Sequence, residues 1–99
     1  MIVVKHISSS TSSNFYDNYF EVTGVPVSNY NTIVIIEALN DKLSKYGDEG
    51  FSPRANGSSY TITVRGLVSQ SIFADSTALQ TYISEKLNSC SSKLKERNN

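Results

Sequence analysis

The sequence predicts an α+β fold: a two-layer sandwich in which two helices cover one face of an antiparallel sheet of four or five strands. Several segments alternate apolar and polar residues with the period of two that marks a half-buried strand, and short turn signals separate them. Two further segments repeat apolar residues at the spacing of a helix face. In chain order the pattern is β-β-α-β-β-(β)-α, and tight turns between alternating strands favour antiparallel pairing.

The first two strands are predicted at residues 2–7 and at Phe15–Thr23. Residues 2–7 are rich in β-branched side chains, which favour strands. In the second segment Phe20 and Val22 share one face, while Tyr19 and its alternate neighbours share the other. Residues 8–14, SSSTSSN, are the low-complexity stretch of the chain, and their length predicts a loop between the two strands.

The first helix is predicted over residues 28–46. Ser28, Asn29 and Asn31 are residue types that cap helix N-termini, and Gly47 suits a C-terminal cap. The apolar face of this helix is expected to consist of Ile36, Leu39, Leu43 and Tyr46. The run TIVII at residues 32–36 is itself strand-like, and a strand there would shorten the helix to residues 38–46.

The next strands surround a predicted hairpin. Residues 50–54 suit an edge strand, because Pro53 cannot donate a hydrogen bond to a neighbour. The dipeptide at residues 56–57, Asn-Gly, is a strong two-residue turn signal. Residues 60–65 alternate cleanly, Gly66 is expected to end that strand, and residues 67–73 are a plausible further strand.

The last helix is predicted to begin after Asp75, an N-cap residue type. Its apolar stripe consists of Leu79, Tyr82, Ile83, Leu87, Cys90 and Leu94. Cys90 lies on this stripe and is therefore expected to be a buried, unreactive thiol.

The length and composition of the chain predict one ordered domain that comprises residues 1–99. Ser, Thr and Asn number 17, 7 and 9, a third of the chain, which favours hydrogen-bonding surfaces.

A single cysteine excludes an internal disulfide and favours a reducing compartment. The first residues lack the layout of a signal peptide, and residues 33–36, the longest apolar run, are too short to span a bilayer. A cytoplasmic protein is expected.

The sequence predicts no enzyme, no cofactor and no bound metal. His6, the serines at residues 8–13 and Asp17 are the residue types of a catalytic triad, but no G-x-S-x-G turn presents a serine. One histidine and one cysteine, far apart in the chain, are too few for a transition-metal site. The glycines do not match a phosphate-binding loop.

A binding or regulatory module that acts through protein–protein contacts is therefore the leading hypothesis, with a second copy of the chain as one partner. Residues 1–49 hold three lysines and six carboxylates, a net charge of −3, and residues 50–99 carry +3, so two copies can attract each other. The candidate interaction surface consists of Tyr16, Tyr19, Val34, Ile35 and Arg65. Exposed tyrosines often anchor interfaces, and exposed aliphatic residues on a helix indicate a partner.

Single-stranded nucleic acid is the alternative ligand. A solvated sheet face that presents Lys5 or His6 with Tyr19 and Arg65 would offer cations and an aromatic ring, as sheet surfaces that stack bases do. The net charge of zero argues against it, because phosphate binders carry a basic excess. In size and polar composition the chain resembles small accessory proteins of phages and mobile elements.

Overall fold

The computed structural model of the chain describes residues 1–39 and 50–95. Within them, four strands and two α-helices follow one another as β1 (Val3–Thr11), β2 (Phe15–Thr23), α1 (Asn29–Leu39), β3 (Gly50–Asn56), β4 (Ser59–Leu67) and α2 (Ser76–Ser89). The strands form one antiparallel sheet in the order β1-β2-β4-β3. The predicted α+β class and element order are confirmed, apart from the optional fifth strand.

The core lies between the sheet and the two helices. The helices lie side by side over one face of the sheet, with α2 against β1 and α1 against β3. The fully buried core residues include Phe20 and Val22 of β2, Tyr60, Ile62 and Val64 of β4, Ile35 and Leu39 of α1, and Leu79, Ile83 and Leu87 of α2. The alternation of residues 60–65 and the apolar stripe of the last helix are thus confirmed, because the same residues that alternate or repeat in the sequence face the core.

The serine-rich segment is a strand for half of its length, where a loop was expected. β1 continues to Thr11, with Ser8 opposite Tyr19 and Ser10 opposite Asp17. A bulge between His6 and Ser8 shifts the register by one residue. Pairing with the aromatic strand β2 overrides the weak strand preference of serine, and the connection shrinks to residues 12–14.

Helix α1 buries Leu39 as predicted, but the rest of its buried face differs from the prediction. Asn31, Ile35 and Leu39 are fully buried, whereas Ile36 is 41% exposed. Ser28 caps the helix, since its hydroxyl accepts from the backbone N–H of Asn31 at 3.0 Å. Because the polar Asn31 is buried, Ile35 faces the core in place of Ile36. The spacing of apolar residues does not predict that a polar residue is buried. The strand alternative at residues 32–36 is wrong, and the predicted Leu43 and Tyr46 positions lie outside the described residues.

The strand expected at residues 67–73 is also wrong, because β4 runs through Gly66 and ends at Leu67. The chain then turns into a 3₁₀ helix, Ser71–Ala74, which folds the Phe73 ring back onto Gly66. A Cβ atom on Gly66 would overlap this ring, so glycine permits close packing here and does not end the strand.

Asp75 caps α2 as predicted, and its carboxylate accepts from the backbone N–H of Ala78 at 3.0 Å. The α-helix ends at Ser89, and a 3₁₀ turn at Ser91–Lys93 carries the chain on towards the start of α1. Neither helix in the described part of the chain is long and apolar enough to cross a membrane.

Candidate functional site

The face of the sheet that points away from both helices is the first candidate site, and it is called the open face below. Antiparallel pairing arranges its side chains in rows, and three of these rows span all four strands. The rows are Lys5, Glu21, Thr61 and Arg54; then Ser8, Tyr19, Thr63 and Ser52; then Ser10, Asp17, Arg65 and Gly50. Apart from Tyr19 the middle row holds only small hydroxyl side chains, so charged groups flank a polar centre.

Tyr19 occupies the centre of the open face. It lies on β2, one of the two inner strands, directly between Ser8 and Thr63. Its small neighbours leave a shallow depression of about 500 Å³ around it, bounded by Asp17, Tyr19, Ser52, Pro53, Arg54, Thr63 and Arg65. The tyrosine is half-buried, so its ring is supported by the sheet and still reachable from solvent. Such a partly supported aromatic ring is a suitable anchor for a partner.

Arg65 is held in place beside this depression. Its Nε and Nη2 atoms donate to the two carboxylate oxygens of Asp17, each at 2.9 Å, and its guanidinium lies 5.2 Å from the centre of the Phe15 ring. The hydrogen bonds from Arg65 lower the pKa of Asp17, although burial of the carboxylate opposes this shift. Asp17 therefore stays ionised, and the arginine presents a charge in a fixed orientation.

The charges of the open face are mixed. Lys5 stands opposite Glu21, and Arg54 lies on the edge strand at the far end of the same row. With Arg65 and Asp17 included, three cations meet two carboxylates, so the face carries a small positive excess and no strong basic patch. Of the residues proposed for nucleic-acid contact, Lys5, Tyr19 and Arg65 do share this face.

Three residues of the predicted interaction surface lie elsewhere. Ile35 is fully buried in the core, so it cannot belong to a surface, and this part of the prediction is wrong. Tyr16 lies on the helix-covered side of the sheet and packs against the core, because its position in β2 alternates with that of Tyr19. Val34 is half-buried beside a groove between α1 and α2.

The exposed residues of α1 are instead Tyr30, Ile33 and Ile36, which are 44%, 55% and 41% exposed. They lie three positions apart, on the side of the helix opposite the buried Asn31 and Ile35. The ammonium of Lys95 lies 4.5 Å from the centre of the Tyr30 ring. The predicted apolar excess on this helix is therefore present, one position away from where the sequence placed it.

Of the three residue types of a catalytic triad, a histidine and a serine meet, but the aspartate lies on the other face of the sheet. His6 lies on the core side of the sheet, 5.3 Å from the Phe20 ring centre, whereas Asp17 is on the open face. His6 Nε2 is 2.9 Å from Ser9 Oγ, and Ser9 donates to Asn18 Oδ1 at 2.6 Å. Because Asn18 takes the hydroxyl hydrogen of Ser9, the serine accepts from His6 and is not activated by it.

Asn18 continues this chain of contacts, since its Nδ2 donates to the backbone oxygen of Phe73 at 2.7 Å. These bonds fasten β1 and β2 to the 3₁₀ helix and are structural. The sequence did not predict that Asn18 and Asn31 are buried and bind distant segments. Asparagine is usually exposed, and nothing in the local pattern distinguishes a buried asparagine from an exposed one. In the described ranges, no group of three or more His, Cys, Asp or Glu residues could hold a metal ion.

Comparisons of the chain with protein-family models, with curated proteins and with solved structures found no match. The function is therefore inferred from the residues and contacts described above.

Proposed function

We propose that the chain is a small, non-enzymatic binding or regulatory module that acts through protein–protein contacts, and that the open face is its binding surface. The single observation behind this proposal is the position of Tyr19, a half-buried ring at the centre of the open face, in a row of small hydroxyl side chains. An aromatic side chain in that position can bury apolar area against a partner while its hydroxyl makes a hydrogen bond. Tyrosine and arginine are also enriched at the centres of protein interfaces.

The surroundings of Tyr19 favour a polypeptide partner. Ser8, Ser52 and Thr63 offer hydroxyl groups that both donate and accept, which suits the backbone and polar side chains of a protein. Lys5, Arg54 and Arg65 alternate with Asp17 and Glu21, so the face is complementary to a surface of mixed charge.

The binding surface is also preorganised. Tyr19 and Arg65 project from the two central strands of the sheet, and the guanidinium is fixed by Asp17 and Phe15. A partner therefore loses little affinity to the ordering of these side chains. Sites on regular strands hold such groups more firmly than loops do.

Single-stranded nucleic acid is the second candidate ligand for the same face. The observation that favours it is the combination of Tyr19 with Lys5 and Arg54, a ring for stacking between two exposed cations. It ranks second because Arg65 is neutralised by Asp17 and the face carries little positive excess.

The test compares two tyrosine substitutions on opposite sides of the molecule. Tyr19→Ala removes the ring at the centre of the open face, and Tyr30→Ala removes a ring from the outer side of α1. Each variant, tagged and covalently cross-linked in a lysate of the source cells, is compared with the native chain by quantitative mass spectrometry. We expect the Tyr19→Ala variant to lose a protein that the native chain and the Tyr30→Ala variant retain.

A parallel measurement separates the two ligand classes. Fluorescence anisotropy with a labelled mixed-sequence oligonucleotide, single-stranded DNA or RNA, is recorded at about 50 mM salt and then at rising salt. Binding that weakens with salt and is lost in an Arg54→Glu variant would establish the nucleic-acid function. No anisotropy change, together with no protein that depends on Tyr19, would refute both functions for the open face.

A further inference from the structure

The outer side of α1 carries an apolar stripe with a charge at each end. Tyr30, Ile33 and Ile36 form the stripe, and Ile33 at its centre is the most exposed of the three. Lys95 lies over Tyr30 at the N-terminal end, and the exposed Glu37 lies one turn beyond Ile33 at the other end. The stripe is therefore positive at one end and negative at the other.

The Asn31 side chain fixes the position of the positive end. Its Nδ2 donates to the backbone oxygen of Lys95 at 2.8 Å, and its Oδ1 accepts from the Lys95 N–H at 2.9 Å. The backbone of Lys95 is thus attached to the helix, and its ammonium is held by the Tyr30 ring. Glu37 lies at the edge of the groove between α1 and α2 that Lys86 and Lys93 also line, but it makes no ion pair of 4 Å or less with any residue in the described ranges.

We propose that a second copy of this chain docks on this stripe, with the two α1 helices packed antiparallel about a two-fold axis near Ile33. A two-fold axis places the same patch of both copies in contact, so the patch must be complementary to itself. Antiparallel helices bring the N-terminal end of one stripe to the C-terminal end of the other. Lys95 of each copy then faces Glu37 of the other, and the Ile33 side chains meet at the axis.

The spacing along the helix supports this arrangement. Tyr30 and Glu37 are seven residues apart, two helical turns or roughly 10 Å, and therefore lie on the same side of α1. Their midpoint falls between Ile33 and Val34, so a two-fold axis there places Tyr30 and Lys95 of one copy opposite Glu37 of the other, with Ile33 of both copies close to the axis. A parallel arrangement would place like charges together, which is unfavourable.

The expected dimer is weak. Three half-exposed side chains with a polar rim give an interface at the small end of the known range, so we expect a dissociation constant on the order of 100 µM. The dimer goes beyond the proposed function, because α1 lies on the other side of the sheet from Tyr19. Both open faces stay accessible, and a dimer would engage a repeated partner through two sites at once.

The central test uses two isoleucines of equal exposure. Ile33 is 55% exposed at the proposed axis, and Ile7 is 54% exposed at the bulge of β1. Sedimentation velocity of the full chain, from about 5 µM to about 1 mM, is expected to show monomers that pass into dimers. Ile33→Lys is expected to raise the dissociation constant at least about tenfold, because it places two charges against each other at the axis, and Ile7→Lys is expected to leave it unchanged.

A charge exchange tests the antiparallel geometry and does not depend on the isoleucine variant. Glu37→Lys and Lys95→Glu are each expected to weaken the dimer by about five- to tenfold, since each change acts at both ends of the interface. The double variant Glu37→Lys/Lys95→Glu restores opposite charges across the axis and is expected to recover most of the affinity at low salt.

Three results would overturn the dimer. The first is a native chain that remains monomeric up to about 1 mM. The occupant of the stripe would then be another protein or residues 96–99, and not a second copy. The second is a dimer that Ile33→Lys leaves intact, and the third is a double charge variant no tighter than the single ones. None of these results bears on the open face, which is tested by Tyr19→Ala.

Discussion

The side-chain amide of Asn31 pairs with the backbone N–H and C=O of Lys95, as a residue of a neighbouring strand would. Oδ1 accepts from the Lys95 N–H at 2.9 Å, and Nδ2 donates to the Lys95 oxygen at 2.8 Å and to the oxygen of Pro26 at 2.8 Å. A fully buried asparagine thus joins the start of α1 to the chain beyond α2. Because buried amides are costly unless paired, this contact fixes both segments.

Asn31→Ala is expected to lower the free energy of unfolding by about 2–4 kcal/mol, since it leaves buried peptide groups without partners. The measurement is urea denaturation followed by circular dichroism. Asn29→Ala, at the exposed first residue of the same helix, is the matched control and should change stability by less than about 0.5 kcal/mol. Equal effects of the two substitutions would show that the Asn31–Lys95 pair contributes little.

The Asp17–Arg65 pair predicts a pH dependence of stability. Hydrogen bonding to Arg65 lowers the pKa of Asp17 in the folded chain below its usual 3.8, so the pair stabilises the fold above that pH. This stabilisation is lost as the pH falls through the lower, folded pKa. It is expected to be no more than about 1 kcal/mol, because the Arg65 side chain is half exposed and solvent screens the pair.

The measurement compares the free energy of unfolding in urea of the native chain and the Asp17→Asn variant, from about pH 7 down to about pH 2.5. This interval covers the pH range in which carboxyl groups usually titrate. The native chain should be the more stable at pH 7, and the difference should shrink as Asp17 becomes protonated. Glu21→Gln, a second carboxyl change on the open face, is the control. A difference that stays constant with pH would contradict the lowered pKa of Asp17.

Gly66→Ala is expected to destabilise the fold by about 1–3 kcal/mol, since the added methyl group overlaps the Phe73 ring and the core must move. The second variant, Phe73→Leu, removes the ring and creates space. In the double variant Gly66→Ala/Phe73→Leu the alanine should therefore cost less than it does alone, as measured by a double-mutant cycle in urea. If the two substitutions change the free energy of unfolding additively, the Phe73 ring is not the reason that glycine is needed at position 66.

Cys90 is expected to react slowly with iodoacetamide at neutral pH. Burial raises the pKa of its thiol above the usual 9.0, although the neighbouring Lys93 opposes the shift. Only the thiolate is nucleophilic, so alkylation at pH 7.5 should be at least about tenfold slower than that of glutathione. The control is the same chain unfolded in urea, where the rate should approach that of a free thiol, and equal rates in both states would refute the prediction.

The raised pKa of Cys90 also fixes the sign of a stability effect. The folded chain holds the thiol proton more tightly than the unfolded chain does, so this contribution is complete below the unfolded pKa and is lost as the pH rises through the folded one. A Cys90→Ala variant should therefore lose less stability than the native chain between about pH 8 and pH 10.

Much of the fold was predictable because it follows from local periodicity. The alternation around Ile62 and the repeat around Ile83 each place apolar residues on one side of an element, and the structure buries those sides. The placement of Tyr19 on the solvated side of its strand was predictable for the same reason. The cap at Asp75 was predictable because its chemistry is local.

The errors arose where a distant residue decides the local conformation. The serines of β1 become a strand because β2 pairs with them, and nothing in a serine run indicates that partner. Ile35 and not Ile36 enters the core because Asn31 binds the chain at Lys95, far away in sequence. Gly66 continues a strand because the Phe73 ring packs on it. In each case the cause is a contact between segments.

By itself the sequence determined the fold class, the faces of its clearest strands and the identity of its last helix, because these depend on the spacing of apolar residues along short segments. Only the tertiary structure decided how far the serine strand extends, which side of α1 remains exposed, and that Asp17 and Arg65 meet beside Tyr19. Those features depend on strand register and on hydrogen bonds between distant segments, and both of the proposed binding surfaces are built from them.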